Sequence, residues 1–320
     1  MLTAIIKNGI VQLEKAPVPK PKENECLVRI EYCGICGTDY QKFLNFPNTK
    51  EWGHEIIGRL VDTKGNFLNR VTIRTSFPCG YCGECLKKQE FKCQNWKRAS
   101  INGFSEYIAI DKNCIIPIDV SDKDIEYALA EPLNVAINLV KRISPNKDDV
   151  FAVIGNGKIG LLTVFYLWLK GYKNISIYAR TTKAVRYQFA KSLGVKTFDY
   201  NKIKKSGLHG VNKIINTAPY ETMSEIINNS NPYSVITFNG INSNNKITLD
   251  MDTWHFKNLT ISPSFPHPQN DFSEAIEIVK THGKKLNMLI THVFSLNEVP
   301  KVYELMKTKK IDFIKILIRG

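Results

Sequence analysis

The chain has 320 residues, 43% apolar and 23% charged, which excludes long disorder. At about 150 residues per domain it predicts two domains. Its 44 lysines and arginines against 30 aspartates and glutamates give a net charge of +14, which favours anionic partners: nucleic acid, an anionic membrane or a phosphorylated ligand. Met1 to Val11 carries one lysine and no long apolar run, so no signal peptide is expected. Leu161–Leu169, the most apolar stretch, is far short of the ~18 residues a membrane span needs. A cytoplasmic, soluble protein is the default expectation.

In chain order, the first third reads as short strands at Ala4–Ile6, Glu25–Tyr32, Ile56–Val61, Val71–Thr75 and Glu106–Ile110, punctuated by Pro and Gly. That pattern predicts a mostly-β domain. Within it lie Cys79, Cys82, Cys85 and Cys93, spaced C-x2-C-x2-C-x7-C. Short C-x2-C steps let one loop wrap its thiolates around a tetrahedral zinc with no open position, so this window predicts a structural metal. Four thiolates leave such a zinc net negative, and Lys87, Lys88, Lys92, Lys97 and Arg98 would offset that charge. A second set is scattered: Cys36 in Gly-Ile-Cys-Gly-Thr-Asp, His54 and Glu55 in Gly-His-Glu, and Glu131 in Glu-Pro-Leu. Mixed Cys, His and Glu donors suit a zinc that keeps one position for water or substrate. Spacing alone does not join Glu131 to the others.

Ser121 can cap a helix over Ile125–Ile143, ended by Pro145. Strand and helix then alternate: strands at Val150–Ile154, Asn174–Ala179, Lys213–Ile215, Ser234–Phe238 and Leu259–Ser262, with helices at Lys158–Lys170 and Lys183–Leu193. Short apolar strands between helices predict a parallel sheet covered on both faces. Six strands fill a dinucleotide-binding sheet. The tail after about Pro268, with helices Phe272–His282 and Leu296–Lys307 and a strand Phe313–Ile318, is therefore expected to return to the first lobe.

Gly155-Asn156-Gly157-Lys158-Ile159-Gly160 fits G-x-G-x-x-G between a buried-type strand and a helix, the context of a pyrophosphate-binding turn. The next strand ends Ala179-Arg180-Thr181-Thr182 with no carboxylate for an adenosine ribose. Arg180 can instead pair with a 2′-phosphate, with Thr181 and Thr182 as hydroxyl donors and Lys183 nearby. This favours NADP(H); NAD(H) stays possible if Arg180 stacks on adenine or points to solvent.

Together these motifs, in this order, resemble the zinc-dependent alcohol dehydrogenases of the medium-chain dehydrogenase/reductase superfamily, across essentially the whole chain. The Glu-Pro-Leu version of the third ligand resembles the polyol, sugar and threonine dehydrogenase branch. The resemblance implies an α/β fold in which a GroES-like catalytic domain (1–133, with the zinc lobe at 79–93) is split around a Rossmann domain (134–267) and resumes at 268–320. It implies a catalytic zinc on Cys36, His54 and Glu131, with Glu55 able to approach the metal. Thr38 would take the substrate proton and Asp39 orient the imidazole. It further implies two zinc ions per chain, a nicotinamide cofactor, a small-molecule alcohol substrate, and homodimers or homotetramers. Neither nucleic acid nor membrane is then an expected partner.

Four departures stand out. Gln41 replaces a relay histidine, only seventeen residues separate Cys36 from His54, the segment after Gly58 is shortened, and Lys158 replaces a common proline in the glycine turn. The polar residues Tyr40, Gln41, Asn45, Asn48, Lys50, Trp52 and Asn134 fall in the pocket region and suit a polyol, sugar or cyclitol. A phosphorylated-sugar or amino-alcohol substrate is the alternative. The alternative of another class is a non-catalytic zinc-stabilised protein that binds cofactor or nucleic acid, which would need neither an open zinc nor Thr38.

Overall fold

Asn8 and Gly9 both have positive φ (52° and 73°), the two-residue turn that matches strand twist, and they join Leu2–Lys7 to Ile10–Lys15 as an antiparallel hairpin. The structure is a computed structural model, and it describes residues 1–118, 124–180, 184–239, 246–264 and 272–320. Ser121, Thr181, Thr182, Lys183 and the expected boundary near Pro268 lie outside the described residues. By internal contacts the chain forms two compact units, Met1–Glu131 with His267–Gly320, and Pro132–Pro266. The fold is α/β: a mostly-β unit built from both ends of the chain, and a parallel-sheet unit from the middle.

In the first unit, one sheet runs in the order Ile290–Ser295, Lys315–Arg319, Glu25–Gly34, Glu55–Val61, Phe67–Ile73, Ile115–Pro117, and Tyr107–Asp111 also pairs with Glu25–Gly34. The first two strands are parallel and the other pairs antiparallel. Buried Trp52, Phe104, Phe43 and Tyr303 meet in the core, with Trp52 and Phe104 edge-on at 4.9 Å between ring centres. Glu31 binds Arg59 at 2.8 Å and buried Arg70 at 2.6 Å, tying three strands across one face.

The second unit carries six parallel strands in the order Lys196–Asp199, Ile175–Ala179, Phe151–Ile154, Lys213–Asn216, Val235–Phe238, Thr260–Pro263. The chain starts in the middle of this sheet and winds outward both ways, so a crevice opens at the carboxyl ends beside the Phe151–Ile154 strand.

Three expectations change. Ile125–Leu129 is a 3-10 turn and the α-helix starts only at Ala130, ending at Arg142. Pro132 has no N–H and its ring clashes four residues back, so one continuous helix from Ile125 is blocked. Leu296–Glu298 is likewise 3-10, with the α-helix running Val299–Lys307 and Pro300 in its first turn. The strands not anticipated include Lys196–Asp199 and Ile290–Ser295. Both are at sheet edges and only partly buried, so their sequences lack the apolar run that marks a central strand.

Candidate active site

In the antiparallel pair Glu25–Gly34 and Glu55–Val61, Gly34 stands opposite Glu55. Cys36 lies just beyond the end of one strand and His54 just before the start of the other. Register therefore sets them side by side: ligand atoms of Cys36, His54 and Glu55 all lie within 4.8 Å of one another. Glu131 is buried in the first turn of the Ala130–Arg142 helix and is not a member of this group.

Asp39 locks the geometry. Cys36 precedes the Gly37–Asn45 helix, and its sulfur accepts the backbone N–H of Asp39. In return Asp39 Oδ2 accepts from the Cys36 N–H at 2.8 Å. Asp39 Oδ1 accepts from the Gly53 N–H at 2.8 Å and lies 3.4 Å from His54 Nδ1. One buried carboxylate thus clamps both ligand-bearing turns, and it leaves Nε2 of His54 as the nitrogen for a metal. Burial opposes both charges, yet the attraction wins: the Asp39 carboxyl sits below its usual range, and Asp39 and the Cys36 thiolate hold His54 well above its usual value. The helix N-terminus also favours the Cys36 thiolate. Gly53 has φ +70°, and a Cβ there would press at 3.0 Å on Cys33 Sγ and the Phe104 ring, so the turn requires glycine.

Lys315 was missed by sequence reasoning. It is fully buried, forms an ion pair with Glu55 and donates to the Ile35 carbonyl at 2.9 Å. Burial lowers its ammonium to about 8 against the opposing pull of Cys36, Cys33 and Asp39. A Cβ on Gly34 would collide with both Glu55 Oε2 and the Lys315 ammonium, so this glycine makes room for the pair. A single lysine inside the apolar run Ile314–Ile318 was the available signal. Thr38 is exposed in the first turn of the Gly37–Asn45 helix.

The four-cysteine window brings its sulfurs into one group. Sγ–Sγ distances are 3.4 Å for Cys82–Cys85, 3.8 Å for Cys79–Cys85 and 3.9 Å for Cys82–Cys93, too long for disulfides. Backbone N–H groups of Cys79 and Cys82 point at the sulfurs of Cys93 and Cys79. The thiols do not ionise alike. Against its burial, the N–H groups of Tyr81 and Cys82 draw Cys79 down to about 6, while burial and the neighbouring thiols push Cys85 up to about 12. Four crowded sulfurs of this kind are the donor set a tetrahedral divalent zinc neutralises.

In the second unit Gly155 turns with φ +98°, and a Cβ on it would come within 2.9 Å of Thr217 Oγ1. A Cβ on Gly160 would overlap the Gly155 carbonyl, whereas Gly157 faces open space. The Lys158–Leu169 helix begins there and is buried along most of its length, which anchors its N-terminus at the crevice. Thr217, which closes the turn from the next strand, was also missed. Arg180 is exposed just past Ala179, with its guanidinium 5.0 Å from the centre of the Tyr200 ring.

A cavity of about 340 Å³ lies beside His54 and is lined also by Lys42, Glu51, Trp52, Thr75, Arg98 and Ser100. Of the residues assigned from sequence to the pocket region, Trp52 lines it, whereas Asn48 and Lys50 line a separate cavity against Ile5–Lys7. Arg98 was not among the residues assigned to this region, and it lies on a short strand paired with Ser76–Phe77, a contact that spacing does not report.

Residues 22–120 match the alcohol dehydrogenase GroES-like domain. Over 339 aligned residues the chain is 26% identical to alcohol dehydrogenase 1 of Caenorhabditis elegans, covering 95% of this chain and 93% of the relative. The chain is therefore similar to zinc-type alcohol dehydrogenases over nearly its whole length. The chain shares its fold with an alcohol dehydrogenase from Escherichia coli CFT073 complexed with NADH, at TM-score 0.84 and 23% identity, covering 100% and 99% of the two chains. It equally shares the fold of a zinc-binding dehydrogenase from Sinorhizobium meliloti 1021 bound to NADP, at TM-score 0.83, 23% identity and the same coverage. Among the described residues, no helix is long and apolar enough to cross a membrane.

Proposed function

We propose that the chain moves a hydride between NADP(H) and a secondary alcohol or its ketone, of polyol, sugar or cyclitol type, at a zinc held by Cys36, His54 and a carboxylate. The observation that carries this reading is the convergence of Cys36, His54 and Glu55 around one point. Thiolate, imidazole and carboxylate donors together fit Zn²⁺ with a position left open, and the four-cysteine lobe fits a second, closed zinc. When bound, zinc supplies Lewis-acid polarisation of the substrate oxygen, and the nicotinamide supplies the two-electron exchange.

The chain's own residues do the rest. Asp39 fixes the His54 ring and tautomer. Glu55 is the carboxylate beside the ligands, balanced by Lys315, and Glu131 is the further ligand, at the start of its helix. Thr38 accepts the proton of the substrate hydroxyl. Gln41 cannot titrate, so the proton taken by Thr38 would have to pass on to water or to a hydroxyl of the bound cofactor. Gly155, Asn156, Gly157, Lys158, Ile159 and Gly160 would offer N–H groups and one positive charge to the pyrophosphate of a bound cofactor. Arg180, now over the Tyr200 ring, would pair with the 2′-phosphate, and Thr181, Thr182 and Lys183 are the further candidates in the sequence for that group.

Metal analysis tests the first half: about two zinc ions per chain are expected, with one lost in Cys36→Ser, and a well-folded wild type holding only one would sink the catalytic metal. Arg180→Asp tests the second. It should weaken NADPH about tenfold or more while affecting NADH much less; equal losses would return the cofactor to NAD(H).

A further inference from the structure

We propose that the substrate carries an anionic end group, phosphate or carboxylate, bound by Arg98 and Lys42 in the cavity beside His54. The inference rests on the Cys36–His54 group being the reaction centre. His54 lines this cavity, so a molecule within it lies beside that group. A volume of about 340 Å³ is in the range of small-ligand sites.

The charges are unbalanced. Among the described residues the Arg98 guanidinium has no hydrogen-bond or ion-pair partner. Lys42 is held on the Glu51 backbone carbonyl, not on a carboxylate. Burial lowers the Lys42 ammonium, Asp39 and Glu51 oppose the shift, and the nearby Arg98 charge adds to it. The one acid in the lining, Glu51, accepts the Ser100 hydroxyl, and Asp39 is committed to His54, Gly53 and Cys36. Two cations against one carboxylate leave the lining net positive, which favours an anion, and the forked donors of arginine match carboxylate or phosphate. Thr75, Ser100 and Glu51 offer hydrogen bonds to the hydroxyls of the same molecule.

The test compares a hexitol, its terminal phosphate and the matching aldonate, with NADP⁺ and with NAD⁺, in wild type, Arg98→Gln and Arg98→Lys. Binding of the two anions to zinc-loaded protein is followed in parallel by calorimetry. Wild type should favour one anion over the neutral hexitol by about tenfold or more in kcat/KM, and which anion wins assigns phosphate or carboxylate. Arg98→Gln should lower that ratio about tenfold or more, chiefly through KM, and Arg98→Lys should restore part of it. A preference for the neutral hexitol, or a ratio unchanged in Arg98→Gln, overturns the proposal. If no compound is oxidised but anion binding still depends on Arg98, the anion site stands and the reaction assigned to the zinc group falls.

Discussion

Two groups of metal-type donors lie in the same unit and are built in opposite ways. The lobe of Cys79, Cys82, Cys85 and Cys93 uses one donor type from one short stretch, its sulfurs oriented by the loop's own N–H groups. The Cys36–His54–Glu55 group uses three donor types, brought together by strand register and clamped by Asp39 and Lys315. A local loop can close on a metal without the rest of the fold. An assembled site inherits its geometry from the sheet and can keep a position open, because no single loop surrounds it.

The largest effect should come from breaking the local group. Cys85→Ser removes a buried thiolate from four, and stability should fall by about 4 kcal/mol or more with loss of one zinc, read by thermal unfolding and metal content. Stability equal to wild type would mean that the lobe does not depend on metal. Next comes the far end of the assembled group. Lys315→Met leaves Glu55 buried without its cation and should cost about 3 kcal/mol in urea unfolding. Adding Glu55→Gln should recover most of that loss, and a double variant as unstable as the sum of both singles would refute the coupling. A smaller change is expected for Asp39→Asn, which keeps shape but loosens His54: zinc affinity at the assembled site should drop about 10–100-fold while the lobe keeps its metal. Equal loss at both sites would erase the distinction between them. Smallest is Lys87→Gln, an exposed charge near the lobe, expected to shift stability by less than about 0.5 kcal/mol. A larger shift would mean that surface lysines, rather than metal, balance the thiolates.

Much of the assembled site was legible in pieces. Gly-Ile-Cys-Gly-Thr-Asp and Gly-His-Glu marked Cys36, His54 and Glu55, but only the pairing of Gly34 with Glu55 puts them in one group. Glu131 is different: only the family resemblance gave it a ligand role, and it sits in the first turn of a helix rather than on the two strands that carry the others. Arg98 read from sequence as a counter-charge to the cysteine lobe, because it lies five residues past Cys93. The strand pairing that sets it opposite Ser76 turns it to the cavity beside His54.

The sequence by itself determined what depends on short separations: the cysteine loop, the glycine turn with its strand before and helix after, and the alternation that makes a parallel sheet. Those structures follow from bond geometry and local hydrogen bonding over a few residues. Only the tertiary structure decided that Lys315 meets Glu55, that Arg98 and His54 line one cavity, and that both chain ends share one sheet. Such contacts join residues tens to hundreds of positions apart. No local preference encodes them, because strand register and core packing are settled by the whole chain at once.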